Sequence, residues 1–209
     1  TFTVNLTAAL FGGASDASRV IIDDGSGLGT ILNDDTAQLS IDDVSLAEGD
    51  AGTTAFIFTI SSDLESSKNL GVTVDTNDLL EALGDTYYSS ILADAAVILA
   101  GTNSTTVTVD VIGDQIVELD ETFTVDLSAA TFDSTDDPSR VNIHDDSGLG
   151  TIINDDIATL SINDVSLLEG DSGTSEFVFT ISSTAVSSKA LSATVNTAEL
   201  LEAFAGTDY

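Results

Sequence analysis

The stretch Thr106-Val107-Thr108-Val109-Asp110-Val111-Ile112 alternates polar with apolar residues over most of its length. A period of two places successive side chains on opposite faces of a β-strand, so that one face is buried and the other meets water. The same pattern occurs in residues 123–127 and in residues 56–60. Short segments rich in Gly, Asp, Asn and Ser separate these stretches, and such segments favour turns. We therefore expect an all-β fold built from antiparallel β-sandwiches.

The chain contains a repeat with a period of 121 residues. Residues 1–88 align with residues 122–209, with 55 identities in 88 positions. This period has the size of a whole domain and is longer than that of a solenoid repeat. With each boundary placed after an Asn-Asp-Asp motif, residues 1–35 are the C-terminal strands of a truncated repeat. Residues 36–156 are a complete repeat, and residues 157–209 are the N-terminal part of the next.

No linker rich in Pro or Gly separates these segments, so we expect neighbouring repeats to dock closely, end to end. Thr1 and Tyr209 both align with positions inside the complete repeat, and we expect the 209 residues to belong to a longer repetitive polypeptide. No basic segment followed by an apolar run opens the sequence, so we expect no signal peptide within it.

The composition excludes several classes of function. Asp and Glu number 36 against 4 Lys and Arg, which gives a formal net charge of −32. A chain with so few cations has little to neutralise nucleic acid phosphates or an anionic membrane surface. No apolar run is long enough to insert into a membrane. The chain has no Cys, so it forms neither disulfides nor thiolate metal sites.

The acidic residues gather near the predicted strand ends. Loops at one pole of a sandwich lie together, so carboxylates that are distant in sequence converge and repel each other. Ca²⁺ relieves such repulsion, because it takes six to eight hard oxygen ligands at flexible geometry, whereas Mg²⁺ requires a tighter octahedron. The residues concerned in the complete repeat are Asp42, Asp43, Glu48, Asp50, Asp114, Glu118, Asp120, Glu121, Asp155 and Asp156.

Three motifs carry a family resemblance. They are Leu46-Ala47-Glu48-Gly49-Asp50-Ala51-Gly52, the stretch 112–123 with sequence IGDQIVELDETF, and Thr151-Ile152-Ile153-Asn154-Asp155-Asp156. Together they resemble the Calx-β family of calcium-binding, immunoglobulin-like sandwiches, found in sodium–calcium exchangers, an integrin β chain and bacterial surface proteins. The resemblance covers essentially the whole chain, as one full domain and two partial ones.

The resemblance implies Ca²⁺ as the bound ion and assigns its ligands position by position. Asp34 and Asp35 would serve the preceding repeat, and Glu169 the following one. The family also has an Asp before a Tyr in one loop, which is matched by Asp208. In the complete repeat the aligned residue is Tyr87, and the nearest acid is Asp85. The ligands implied for the complete repeat are Glu48, Asp85, Asp114, Glu118, Asp155 and Asp156.

The same acidic residues fit other roles as well. The run 114–121 also fits a solvated turn, and Asp42 and Asp43 also fit strand positions that face water or a neighbouring repeat's site. Paired carboxylates serve glycosidases as well. Those enzymes need an aromatic-lined cleft, and this chain has no Trp and only 3 Tyr. We therefore expect no enzymatic activity.

These observations predict an extracellular or cell-surface structural and adhesive array, a stalk or fibre, whose repeats are made rigid by Ca²⁺ near the junctions. Its partners would be neighbouring repeats of the same protein or fibre and a cell-surface or matrix ligand. Two other interpretations stay open. One is an adhesin module that binds a carbohydrate or receptor, and the other is an intracellular calcium sensor.

Overall fold

The computed structural model describes residues 1–79, 82–84 and 86–198. Every regular element in these residues is a β-strand, which confirms the all-β class predicted from the alternation. Within the same ranges no helix is long and apolar enough to cross a membrane. The chain forms two compact units, Thr1–Thr36 and Ala37–Tyr209.

The first unit is a single antiparallel pair. Strand β1 (Phe2–Asn5) pairs with β2 (Ser26–Gly29), with Phe2 opposite Gly29. Between these strands Arg19 bonds to Asp16 at 3.0 Å, and its guanidinium lies 5.0 Å from the centroid of the Phe11 ring. Both β-strands leave their side chains largely exposed.

The second unit contains the sandwich. Its strands in the described residues are β3 (Ala37–Ile41), β4 (Val44–Ala47), β5 (Gly52–Ser62), β6 (Leu70–Asp78), β7 (Asp94–Ile98), β8 (Ser104–Gly113), β9 (Ile116–Val117), β10 (Glu121–Phe132), β11 (Val141–Ile143), β12 (Ser147–Ile153), β13 (Leu160–Ile162), β14 (Ile181–Ser183) and β15 (Val186–Ser187). A five-stranded sheet has the order β4-β12-β10-β6-β7, and a four-stranded sheet has the order β11-β3-β5-β8.

The core lies between these two sheets and is formed by the alternating residues. Phe56 and Phe58 of β5 each lie 6.0 Å, centroid to centroid, from Phe123 of β10. Tyr88 stacks on the same Phe123 ring at 4.4 Å. All four rings are buried, and such aromatic contacts add to the stabilisation that comes from buried area. Strands β5, β8 and β10 therefore bury the face that the sequence alternation predicts.

Two edge pairs depart from the antiparallel expectation. Strand β11 pairs in parallel with β3, and β12 pairs in parallel with β4. The reason is that Asp42 and Asp43 interrupt the extended segment 37–47. Its first half, β3, joins one sheet and its second half, β4, joins the other. Strand β4 therefore forms the edge of its sheet beside β12, whereas β3 lies between β5 and the edge strand β11.

The residues after Asp156 begin a second copy of the same pattern. Strand β13 pairs with β14 through Leu160 and Ser183, which is the register of Leu39 and Ser62 shifted by 121 residues. The short β15 instead pairs in parallel with β9. The division of the chain into residues 1–35, 36–156 and 157–209 stays a prediction from the sequence.

Candidate functional site

The loop between β4 and β5 carries the first of the predicted ligands. Gly49 and Gly52 have φ angles of 85° and 80°, in a region that residues with a side chain rarely adopt. The hydroxyl of Thr54 donates a hydrogen bond to the backbone carbonyl of Glu48 at 2.6 Å and closes the turn. The motif Glu-Gly-Asp-x-Gly thus folds locally into a tight loop that presents Glu48 and Asp50.

A close approach brings the second motif against this loop. A Cβ atom on Gly113 would collide with the backbone carbonyl oxygens of Gly49 and Glu48. Only glycine therefore allows the end of β8 to pass beside the loop. The next residue is Asp114, whose carboxylate accepts a hydrogen bond from the backbone N–H of Ile116 at 2.7 Å.

The third motif reaches the same place from the end of β12. The N–H of Glu48 donates to the carbonyl of Ile153 at 3.2 Å, and the N–H of Gly49 donates to the Asp155 carboxylate at 3.2 Å. Asn154 joins this segment to the acidic run, because its side-chain oxygen accepts from the Glu118 N–H at 3.0 Å. Its own N–H donates to the Asp120 carboxylate at 3.2 Å. The three motifs thus meet at one pole of the sandwich.

Glu48 is the electrostatic centre of this pole. Its side chain is only 3% exposed, and this burial is the main reason why its pKa rises from 4.5 to about 7. Four nearby carboxylates raise the pKa further, in the order Asp114, Glu118, Glu121 and Asp155. The charged form of Glu48 is therefore disfavoured at neutral pH.

Asp156 shows the same effect at the edge of the group. Burial raises its pKa first, followed by the charges of Asp50, Asp155 and Asp114. Its Oδ2 atom is buried and has no hydrogen-bond partner in the structure. The carboxylates that interact in this way form the acidic cluster, which consists of Glu48, Asp50, Asp114, Glu118, Glu121, Asp155 and Asp156.

The chemistry of the acidic cluster fits a hard divalent cation. Its donors are all carboxylate oxygens, and the buried Oδ2 of Asp156 is the kind of atom that a cation would satisfy. Arg19, Lys68 and Arg140 bond to Asp16, Asp133 and Asp137, which lie outside the acidic cluster. In the described ranges, however, no three acidic side chains are grouped closely enough to hold a metal ion as they stand. Binding would require side chains to turn toward a common point.

The predicted ligands divide into three groups. The structure brings Glu48, Asp114, Glu118, Asp155 and Asp156 together in the acidic cluster. It places Asp34 and Asp35 in the first unit and leaves Glu169 exposed. Asp85 and Asp208 lie outside the described residues.

Two members of the acidic cluster and one positioning residue are not among the predicted ligands. Asp50 follows Glu48 by two positions in the same loop, and Glu121 begins β10 with only 5% of its surface exposed. Both belong to acidic runs in the sequence. Their closeness in sequence to the predicted ligands Glu48 and Glu118 could have indicated that they join the site. Asn154 stands beside the predicted Asp155, but its neutral amide gave no reason to single it out.

Asp42 and Asp43 have a structural role. The Asp42 carboxylate accepts from the Thr59 N–H at 2.6 Å, and the Asp43 carboxylate accepts from the Leu149 N–H at 2.7 Å. In the next copy Asp42 is replaced by Asn163, whose side-chain oxygen accepts from the Thr180 N–H at 2.5 Å. A neutral amide therefore performs the same task, and the task depends on a hydrogen-bond acceptor rather than on charge.

Comparison with known proteins gives matches only among solved structures. No family model matches the chain, and no curated protein matches it. The crystal structure of the apo-form Calx CBD1 domain is 17% identical, with a TM-score of 0.48, and the match covers 58% of this chain and all of that one. The Calx CBD2 domain is 10% identical, with a TM-score of 0.47, and the match covers 55% of this chain and 85% of that one.

A third structure is the calcium binding domain CBD12 of CALX1.1. It is 17% identical with a TM-score of 0.47, and the match covers 56% of this chain and 44% of that one. These three structures are Calx-β domains. They belong to the family that the three sequence motifs resemble.

Proposed function

We propose that the chain is a segment of an extracellular structural and adhesive array whose repeats are stiffened by Ca²⁺ bound at the acidic cluster. The observation that carries this proposal is the burial of Glu48 among four other carboxylates at one pole of the sandwich. Such an arrangement weakens the fold at neutral pH unless a cation offsets the repulsion. Bound Ca²⁺ would supply that positive charge and a common centre for the carboxylate oxygens.

The residues of the chain have separate parts in this function. Glu48 offers a buried carboxylate and Asp156 offers a buried Oδ2 atom, whereas Asp114 and Glu118 lie on the loop between β8 and β10. Asn154 positions the Glu118 backbone and thereby holds the third motif beside this loop. Extracellular calcium modules work at about 10⁻⁴ to 10⁻³ M, which suits a site open to the medium.

The proposed partners and location follow from the same reasoning. The copies are identical at 55 of 88 aligned positions. Such repetition would be unnecessary for a single enzyme site, whereas a spacer gains length from every added copy. We therefore propose neighbouring repeats as the main partners, a surface or matrix ligand as a further one, and no catalytic activity. Antibody raised against residues 36–156 should label intact cells that make the protein, and labelling seen only after permeabilisation would contradict the location.

The metal is tested by calorimetry on protein stripped of divalent ions. Ca²⁺ at 100 times its dissociation constant should stabilise the fold by about 2.7 kcal/mol and raise the melting temperature. Asp114→Asn keeps an acceptor for the Ile116 N–H but removes one charge, so it should reduce the calcium response. The matched control is Asp136→Asn, at an exposed position outside the acidic cluster. An unchanged melting curve with no bound calcium would overturn the proposal.

A further inference from the structure

A segment of the next repeat contacts residues 114–121, the acidic loop between β8 and β10. Strand β9 consists of Ile116 and Val117 and stands in the chain between Asp114 and Glu118. It pairs in parallel with β15, with Val186 beside Ile116 and Ser187 beside Val117. By the alignment of the copies, β9 belongs to the complete repeat and β15 to the one that follows.

Two hydrogen bonds to one carbonyl secure this pairing. The Ser187 hydroxyl donates to the Val117 carbonyl at 2.9 Å, and the Ser188 N–H donates to the same oxygen at 3.1 Å. These bonds use the backbone of the acidic loop, so they do not themselves select which residue stands at position 186. Any selection must come from the side chains of residues 184–186, the docking loop, which precede Ser187.

The docking loop differs between copies at the residues that would matter. Its sequence Thr184-Ala185-Val186 corresponds to Asp63-Leu64-Glu65 in the complete repeat. The flanking residues are unchanged, since Ser-Ser precedes and Ser-Ser-Lys follows both triplets. Thus two carboxylates of one copy are replaced by neutral side chains in the copy that touches the acidic loop.

We propose that the neutral triplet 184–186 is the docking determinant of the following repeat, and that the absence of a carboxylate at position 186 allows it to pair with the acidic loop. The partner that this loop accepts is a repeat with a neutral residue at that position. A repeat with Glu there, as at Glu65, would place a charge beside a segment flanked by Asp114 and Glu118. Like charges on adjacent strands are destabilising, so such a repeat is rejected unless a cation intervenes.

The test is amide hydrogen exchange of Ser188 in the metal-free 209-residue protein. Val186→Glu should increase the exchange rate of this amide by about tenfold, because the new carboxylate repels the acidic loop. Val186→Gln has nearly the same shape without the charge and should exchange like the original protein. Val178→Glu adds the same charge at a position with 64% exposure, against 70% for Val186, and should also leave Ser188 unchanged.

Two results would overturn the inference. One is equal exchange of Ser188 in the Val186→Glu and Val186→Gln variants, which would show that charge does not select the docking loop. The other is an unprotected Ser188 amide in the original protein, which would show that β9 and β15 do not pair in solution.

Addition of CaCl₂ separates this inference from the proposed function. If calcium binds the acidic cluster, it should restore protection of Ser188 in Val186→Glu. In the other outcome, Ser188 exchanges faster in Val186→Glu than in Val186→Gln without metal, and calcium does not change this difference. The docking inference is then supported, whereas the proposed calcium binding fails.

Discussion

Phe2 and Phe123 occupy equivalent positions in two copies of one strand pair, yet Phe2 is 54% exposed and Phe123 is completely buried. The registers are the same, since Phe2 lies opposite Gly29 and Phe123 lies opposite Gly150. In both copies the aromatic ring lies over that glycine, at the place where a Cβ would stand. The local sequence is therefore sufficient for the pairing, whereas burial depends on strands that lie elsewhere in the chain.

The two Glu-Gly-Asp loops repeat this contrast at the acidic cluster. Gly170 and Gly173 have φ angles of 83° and 86°, close to those of Gly49 and Gly52. The Ser175 hydroxyl donates to the Glu169 carbonyl at 2.7 Å, as the Thr54 hydroxyl does to Glu48. Nevertheless Glu169 is exposed and Glu48 is buried. The loop geometry is local, but the electrostatic environment of its glutamate is not.

The largest expected effect comes from the two phenylalanines. Phe123→Ala should lower the free energy of unfolding of the complete repeat by about 3–5 kcal/mol, because it leaves a cavity among three other rings. Phe2→Ala should change it by less than about 0.5 kcal/mol. Urea unfolding followed by tyrosine fluorescence measures both, since Tyr88 stacks on Phe123. Equal losses in the two variants would refute the contrast between the copies.

The next effect is the pH dependence of the metal-free protein. The pKa of Glu48 is raised from 4.5 in the unfolded chain to about 7 in the fold, so between these values the folded state binds the additional proton. Its contribution is fully present below pH 4.5 and is lost as the pH rises through 7. Stability should therefore increase by about 2.5 kcal/mol from pH 8 to pH 5.

Asp156 acts in the same direction, because its pKa is also raised by burial and by nearby carboxylates. Asp78 and Asp137 do not oppose this gain in stability between pH 8 and pH 5. Hydrogen bonds lower their pKa values, so both carboxylates stay ionised. Urea unfolding of metal-stripped protein at both pH values provides the measurement. A metal-free protein that is equally or more stable at pH 8 would show that Glu48 is not buried among like charges.

Substitution of the two glutamates compares the loops directly. Glu48→Gln should stabilise the metal-free protein at pH 8 by about 2 kcal/mol, because it removes a buried charge from the acidic cluster. The substitution should also remove most of the change in the free energy of unfolding between pH 8 and pH 5. Glu169→Gln should change stability by less than about 0.5 kcal/mol, since that side chain is exposed. The idea fails if both substitutions have the same effect on urea unfolding at pH 8.

The smallest expected effect concerns Asp42. Asp42→Asn should change the free energy of unfolding by less than about 0.5 kcal/mol, because Asn163 already makes the equivalent bond to Thr180. Asp42→Ala should cost about 1 kcal/mol, since the Thr59 N–H loses its acceptor. Thermal unfolding of the two variants side by side is the measurement. A large loss in Asp42→Asn would show that the charge itself has a role.

Several features of the site could be predicted from the sequence, because they depend only on neighbouring residues. The positive-φ glycines fix the loop around Glu48, and the alternation in β8 and β10 sets which side chains enter the core. Other features of the site could not be predicted, because they depend on segments that are distant in the sequence. Asn154 acts through a residue 36 positions away, and the close approach at Gly113 depends on a carbonyl in another loop.

The sequence by itself determined the strands, their turns and the registers that recur after 121 residues, because these depend on side-chain alternation and glycine conformation within short segments. Only the tertiary structure decided that β3 and β4 join different sheets, that Glu48 is buried while Glu169 is exposed, and that β9 pairs with β15. The physical reason is that burial and carboxylate repulsion depend on distances across the fold. Similar segments therefore acquire different burial and different charge environments when different strands surround them.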